Sequence, residues 1–212
     1  SGYKTNLKEY SGMFSAHDVK NLEIYNSIFL NNSKVDDMVH IVYSTFKFKN
    51  LTFKNAFLDA LDIDISNGII SNSNFINSGN DAIDLMSSNL ELYNNTIKLS
   101  KDKGVSVGEK SNLIAANNLL QKNFIGVESK DASIAILFNH TFDNNTQSLN
   151  AYKKNWRYGS GGKIFLSKSI IKNNEKYLSK DKYSAINVFD SHYVHKSKKR
   201  ENINFIKVDN NY

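Results

Sequence analysis

An all-β solenoid with coils of about 22 residues and an asparagine ladder is predicted by three observations. Asparagines recur at Asn26, Asn50, Asn72, Asn94, Asn117 and Asn139, in steps of 24, 22, 22, 23 and 22 residues, each inside a similar phrase: EIYNSIF, KFKNLTF, IISNSNF, ELYNNTI, IAANNLL, ILFNHTF. A second series, Val39, Leu61, Ile83, Val105, Val127 and Leu149, repeats at a constant step of 22. Proline is absent, as suits strands that all donate to neighbouring ladders. A fixed period in this range marks a fold in which each coil contacts only its neighbours, so equivalent residues stack into columns. Leucine-rich repeats share the period, but their leucine spacing does not recur here.

The elements follow in order along a single domain, 1–212. Residues 1–12 are polar and read as an opening coil or cap, because a solenoid end must cover its core. Residues 13–160 form the regular coils, each with two or three short alternating strands separated by polar turns. Within them Ile41, Ile63, Leu85 and Val107 follow the aliphatic series two positions on, so both sets point inward. The asparagine column lies in the coil as a ladder of amide hydrogen bonds. Its N-x-S/T sites at Asn50, Asn94 and Asn139 are therefore expected to be buried and unglycosylated. Residues 161–212 form an irregular last coil, with KIFLSKSII and SAINVFD as strands, and a tail. In the tail His195 lies near His192 without a third ligand, and Lys196, Lys198, Lys199 and Arg200 make a short basic run read as solvated.

Composition excludes several classes. With no cysteine there is neither a disulfide framework nor a thiolate zinc site. No apolar run approaches a membrane span. No nucleotide-binding loop or nucleophile elbow is present, and nucleic acid is not an expected partner. The net charge of +6 favours an acidic polysaccharide or an anionic surface as partner. A chain opening on Ser1 without a signal sequence reads as a mature product or excised domain, secreted, periplasmic or at a bacterial cell surface.

The outward positions form columns of their own. One is Met38, Ala60, Ala82, Gly104, Gly126, Ser148; the next is His40, Asp62, Asp84, Ser106, Glu128, Asn150; a third is Val42, Asp64, Met86, Gly108, Lys130, Tyr152. Strands about 4.8 Å apart make Asp62 and Asp84 nearest neighbours, and the small column is expected to leave an open trough beside them. Carboxylates this close repel, so either one pKa is raised or a cation compensates. A further line at the strand starts carries Asp59, Asp81 and Lys103, with Asp36, Asp37 and Asp102 at or next to it.

The ladder phrases resemble those of right-handed parallel β-helices, the architecture of the pectate-lyase-like superfamily. Over residues 57–110 the phrases LDALDID, GNDAIDL and DKGVSVG resemble the N-T-D, G-D-D and G-H-G phrases of the polygalacturonase branch. The matching positions are Asp59, then Asn80 and Asp81, then Lys103 before Gly104. Asn80 stands where that branch has an aspartate, Lys103 where it has histidine, and no R-I-K phrase occurs near Ile125–Lys130. Residues 10–160 also resemble bacterial right-handed β-helix domains with DAIDI- and DKGIS-type phrases.

The resemblance implies action on, or binding of, a polysaccharide. Lyase or epimerase chemistry on a uronic acid polymer needs a cation to neutralise the sugar carboxylate and a base to take the C5 proton. Asp62, Asp84 and Glu128, with Asp64 nearby, are the expected Ca2+ ligands. Lys103 is the expected base, with its pKa lowered by desolvation, and His40 the substitute. Glycoside hydrolysis by paired carboxylates among Asp59, Asp62, Asp81 and Asp84 is the alternative, and a non-catalytic glycan-binding solenoid is a third reading. It draws on the lack of arginine in the middle coils, since Arg157 and Arg200 are the only ones. Substrate contacts fall to Asp64, Glu128, Asn150, Tyr152, Trp156 and Arg157, the last two in a basic-aromatic cluster where a ring can stack on sugar and a cation meet a carboxylate. The sequence leaves the oligomeric state open.

Overall fold

The computed structural model describes residues 3–4 and 9–194; His195 and the basic run Lys196–Arg200 lie outside the described residues. Three parallel sheets of eight strands each run the length of the molecule, beside a short antiparallel pair, Tyr3–Lys4 with Glu9–Tyr10. Each coil gives one strand to each sheet; one coil, for example, contributes Asp59–Asp64, Asn67–Ser71 and Asn74–Ser78. These sheets are called the site sheet, the second sheet and the third sheet. No helix occurs among the described residues, so none is long and apolar enough to cross a membrane.

The 22-residue register holds residue for residue. Leu61 pairs with Ile83, Ile83 with Val105, Val105 with Val127 and Val127 with Leu149. All five are at most 1% exposed, and they form the core side of the site sheet. On the third sheet Phe29, Phe53 and Phe75 stack at centroid separations of 5.1 and 4.6 Å. Gly68 is required by the core: a Cβ there would lie 2.1 Å from the ring of Phe46.

The corners are built from left-handed residues followed by an inward hydrogen-bonding side chain. Asn26, Asn50, Asn72, Asn94, Asn117 and Asn139 all have φ between 52 and 59°, which asparagine tolerates better than most residues. They are exposed, not buried as their ladder role implied. The amide pairs Asn50–Asn26 and Asn139–Asn117, both 2.7 Å, lie at the surface, so burial does not protect the N-x-S/T sites. The buried ladder occupies the next position along the chain. There Asn95 and Asn118 are each 2% exposed, and Asn118 Oδ1 accepts from the backbone N–H of Asn95 at 2.8 Å. A second buried ladder joins Asn123, Asn145 and Asn174. At the third corner the same work is done by serines, from Ser44 through Ser66, Ser88 and Ser111 to Ser133. The physical reason is geometric: after the left-handed residue turns the chain, the following side chain faces inward, where backbone amides need partners.

The column Met38, Ala60, Ala82, Gly104, Gly126, Ser148 is also corrected. These residues are buried and leave no open trough. In the site sheet two successive inward residues, such as Ala60 and Leu61 after Asp59, precede the alternation. The space inside is small: a Cβ on Gly126 would lie 2.6 Å from Ser148 O and 2.8 Å from the Phe142 ring.

In-register pairing continues through Val194. The step from Asn150 to its partner Ser179 is 29 residues rather than the 22 from Glu128 to Asn150, because residues 153–162 form an inserted loop between site sheet and second sheet.

Candidate functional site

The outer face of the site sheet carries three columns. The first contains Asp37, Asp59, Asp81 and Lys103; the second contains His40, Asp62, Asp84, Ser106, Glu128 and Asn150; the third contains Val42, Asp64, Met86, Gly108, Lys130 and Tyr152. Three consecutive coils thus place Asp37, Asp59, Asp62, Asp64, Asp81 and Asp84 on one patch, bounded by His40 on one side and Lys103 on the other. Neighbouring residues lie about 4.8 Å apart along each column.

The first column ties coils together as well as carrying charge. Asp59 Oδ1 accepts the N–H of Asp81 at 2.7 Å and the Asn80 amide at 2.8 Å. Asp81 Oδ1 accepts the N–H of Lys103 at 2.9 Å. Burial pushes Asp59 up to about 6 and Asp81 up to about 7, the latter against the pull of Lys103.

Lys103 is ion-paired with Asp81 and Asp102. These carboxylates push its pKa well above the ordinary lysine value even though burial opposes them. It is a fixed cation, and the expected role of Lys103 as a base with lowered pKa does not hold: nearby charge outweighs desolvation here.

His40 is held on this face by hydrogen bonds at both ring nitrogens. Ser11 Oγ lies 2.8 Å from Asp37 Oδ2 and 2.7 Å from His40 Nδ1. A hydroxyl has one proton; donated to the carboxylate, it obliges Ser11 to accept from Nδ1–H. That assignment directs the Nδ1 proton to Ser11 and leaves Nε2, the nitrogen on which a neutral ring then carries its lone pair, facing Asp64 Oδ2 at 3.2 Å and Asp62 Oδ2 at 3.5 Å. Two carboxylate oxygens around a lone pair call for a proton, and Asp62 supplies one. Burial pushes it up to about 9, with Asp64, Asp37, Asp84 and Asp59 adding repulsion.

A raised carboxyl pKa sets a sign for stability. The folded state holds a proton on Asp62 that the unfolded chain releases near its ordinary value of about 3.9. The associated stability is complete below about pH 4 and is lost as pH rises through about 9. Asp59 and Asp81 act in the same direction over narrower windows. Asp62→Asn is therefore expected to melt near wild type at pH 4 and to be more stable by about 1–3 kcal/mol at pH 8. Urea or thermal melts across that range check it; a variant less stable throughout would mean that Asp62 makes a net favourable ion pair.

Asp62, Asp84 and Glu128 do not converge on one ion. Ser106 stands between Asp84 and Glu128 in the register, so those strands are about 9–10 Å apart. Lys130 Nζ occupies the intervening space, donating to Ser106 Oγ at 2.9 Å. Glu128 is 2% exposed and takes a 2.8 Å bond from Asn150, while its Oε1 is buried without a hydrogen-bond partner. Among the described residues the donors that gather are Asp37, His40 and Asp62, with one ligand atom each within 4.8 Å of the others. That mixed imidazole–carboxylate set does not suit Ca2+, which takes an all-oxygen shell.

The remaining candidates lie farther along. Tyr152 sits beside Lys130 in the third column, and burial pushes it up to about 12, with Glu128 adding to the rise. Trp156 and Arg157 lie in the inserted loop, with the guanidinium carbon 5.9 Å from the Trp156 ring centroid. Ser11 and Lys130 were missed as site residues. Lys130 was visible in its column; Ser11, in the irregular opening segment, carried no periodic signal.

A carboxylate-rich face on a parallel β-solenoid defines the class of molecule. The sequence matches the right-handed β-helix region over residues 37–198, and the chain belongs to that family. No curated protein matches it. Among solved structures it is similar to the periplasmic alginate epimerase AlgG in a double-mutant form, with a TM-score of 0.58 and 13% identity over 82% of this chain and 50% of that one. A single-mutant form gives 0.57 with the same identity and coverage. An alginate lyase from Paenibacillus sp. gives 0.47 at 8% identity, over 80% of this chain and 78% of that one. The chain thus spans about half the length of the epimerase chains it matches.

Proposed function

We propose that this protein acts on a uronic-acid polymer as a C5 epimerase or lyase, with His40 as the base. The observation that carries the reading is the Ser11–His40 contact of 2.7 Å, which engages Nδ1 and leaves Nε2 on the side of the Asp62–Asp64 carboxylates. The fold likeness to a periplasmic alginate epimerase supports the choice of substrate class and an envelope or secreted location.

In the proposed reaction the sugar carboxylate replaces His40 as the acceptor of the Asp62 proton, so that Asp62 donates a hydrogen bond to the sugar in place of an arginine and Nε2 is released. Nε2 of His40 takes the C5 proton, and the electron pair moves into the carboxylate as an enediolate. The imidazolium that results is held by Asp64, 3.2 Å from Nε2. For epimerisation, a protonated carboxyl on the opposite side of the ring returns a proton to C5. For elimination, the C4–O bond breaks, a C4–C5 double bond forms, and the leaving oxygen takes a proton. Asp59, pushed up to about 6, is suited to hold such a proton. Lys103, held as a cation, adds positive potential on the same face. No step is routed through calcium.

The test is direct. Purified protein is incubated with alginate blocks and polygalacturonate, with and without a chelator. Elimination is read as ultraviolet absorbance from unsaturated ends and epimerisation as deuterium incorporation at C5 from heavy water. Turnover that survives the chelator supports the reading. If reducing ends appear without unsaturation, paired-carboxylate hydrolysis replaces it; if neither signal appears on any uronate polymer, the catalytic reading fails.

A further inference from the structure

At the opposite end of the same sheet edge, the turns that carry the chain into the second sheet collect cations and aromatic rings. Lys110 follows the strand Lys103–Gly108, the inserted loop 153–162 follows Gln147–Tyr152, and Lys182 follows Lys176–Lys180. Because the coils stack, these turns form one corner. The aspartates in it brace the backbone: Asp131 Oδ1 accepts the N–H groups of Lys154 and Asn155 at 2.8 and 2.7 Å, and Asp181 accepts those of Lys153 and Tyr183 at 2.9 and 3.0 Å while also attracting the Lys153 charge; Glu109 lies near Tyr158. Three lysine ammonium groups also lie over rings. Lys153 and Lys182 are 5.1 and 5.0 Å from the centroid of Tyr183, and Lys110 is 6.0 Å from that of Tyr158.

The loop is anchored. Ala132 N–H bonds to Ser160 O at 3.1 Å and Gly161 N–H to Tyr183 O at 3.0 Å. Its base is packed so closely that a Cβ on Gly161 would lie 1.9 Å from Ser184 Oγ, and one on Gly162 2.0 Å from Ser129 O. On this fixed base Trp156 is 83% exposed. A large ring held out of the core on an anchored loop, beside cations, is an unusual use of apolar surface in a water-exposed position.

We propose that this corner is an anchoring surface for an acidic polysaccharide, with Trp156 stacking on the apolar face of a sugar ring while Arg157 and Lys153 meet carboxylates. The chemistry of the occupant follows from the surface: flat aromatic rings fit pyranose faces, and a corner where Lys110, Lys153, Lys154, Arg157 and Lys182 outnumber Glu109, Asp131 and Asp181 fits regularly spaced anions. The substrate class rests on the reading given under Proposed function, but the anchor is separate from the reacting groups. Four strand steps of about 4.8 Å separate the Asp62 coil from the Tyr152 coil, so a ligand that engages both must be a polymer.

Trp156 is the only tryptophan in the chain, so its fluorescence reports on this corner alone. Wild type is titrated with alginate and polygalacturonate, with a neutral glucan and with duplex DNA as comparisons, and conversion is assayed on the same samples. The expected result is a blue shift or quench with uronate polymers and none with the glucan or DNA. In native gels containing the polymer, Trp156→Ala should then bind at least tenfold more weakly than wild type, and Trp156→Phe should restore most of the difference. Conversion of polymer without any fluorescence change overturns the anchor and leaves the catalytic reading standing. A fluorescence change without conversion supports the anchor and sinks the catalytic reading. An equal response to DNA overturns the assignment to polysaccharide in favour of a general polyanion surface.

Discussion

His40→Gln is expected to lower turnover of the uronate polymer by about 10²–10⁴-fold, the usual contribution of a positioned general base. Glutamine keeps a polar side chain of similar reach between Ser11, Asp62 and Asp64 but offers no basic nitrogen. The fold should survive, because His40 sits on the outer face while Val39 and Ile41, both 0% exposed, face the core. Loss of activity should appear in kcat, with binding of polymer in gels near wild type. Ser11→Ala sharpens the test. Without the hydroxyl, nothing fixes the Nδ1 proton, and the ring gains the freedom to turn Nε2 toward another partner. A smaller loss, accompanied by a shift in the pH–rate profile, would mark Ser11 as a positioning residue. If His40→Gln retained full activity, the base would have to be sought elsewhere on the face, and the hydrogen-bond argument from Ser11 would fail with it.

Asn118→Ala is expected to cost about 2–5 kcal/mol of stability, the sum of two stranded polar groups and a small cavity. Its Oδ1 takes the Asn95 N–H at 2.8 Å, and its Nδ2 donates to Leu92 O at 2.8 Å, both in the interior. Asn118→Ser should recover part of the loss, since Ser73 accepts the Leu51 N–H at the corresponding position at 3.0 Å. The neighbouring Asn117→Gly provides the contrast. Asn117 is exposed with φ of 59°, and glycine accepts that conformation freely, so the change should be within about 1 kcal/mol. Denaturant melts of the three variants decide between the two positions. Equal losses at Asn117 and Asn118 would mean that the surface amide pair contributes as much as the buried one.

That pair of adjacent asparagines shows where sequence reasoning stops. The period of 22 was legible because a solenoid converts an integer repeat into physical stacking: one period in sequence is one strand step in space. From it followed the pairing of Asp62 with Asp84, of His40 with Asp62, and of Glu128 with Asn150, all found as expected. Period alone does not say which member of an Asn-Asn pair turns the corner and which enters the core. That depends on where the left-handed residue falls, a property of the three-dimensional bend. The Ala/Gly column is a similar case: two-residue alternation placed it outside, whereas the corner geometry puts two inward residues in succession.

The sequence by itself determined the fold class, the coil register and the gathering of acids on one face, because each depends only on spacing and on which residues bury apolar surface. The tertiary structure alone decided the chemistry of that face. Lys103 became a fixed cation because Asp81 and Asp102 meet its ammonium group. Asp62 became a proton carrier because burial and surrounding carboxylates act on it together. His40 gained a hydrogen-bond partner at Nδ1 from Ser11, a residue in the irregular opening segment with no periodic signature. Charge state and tautomer depend on distances between residues far apart in the chain, and those distances exist only once the coils have stacked.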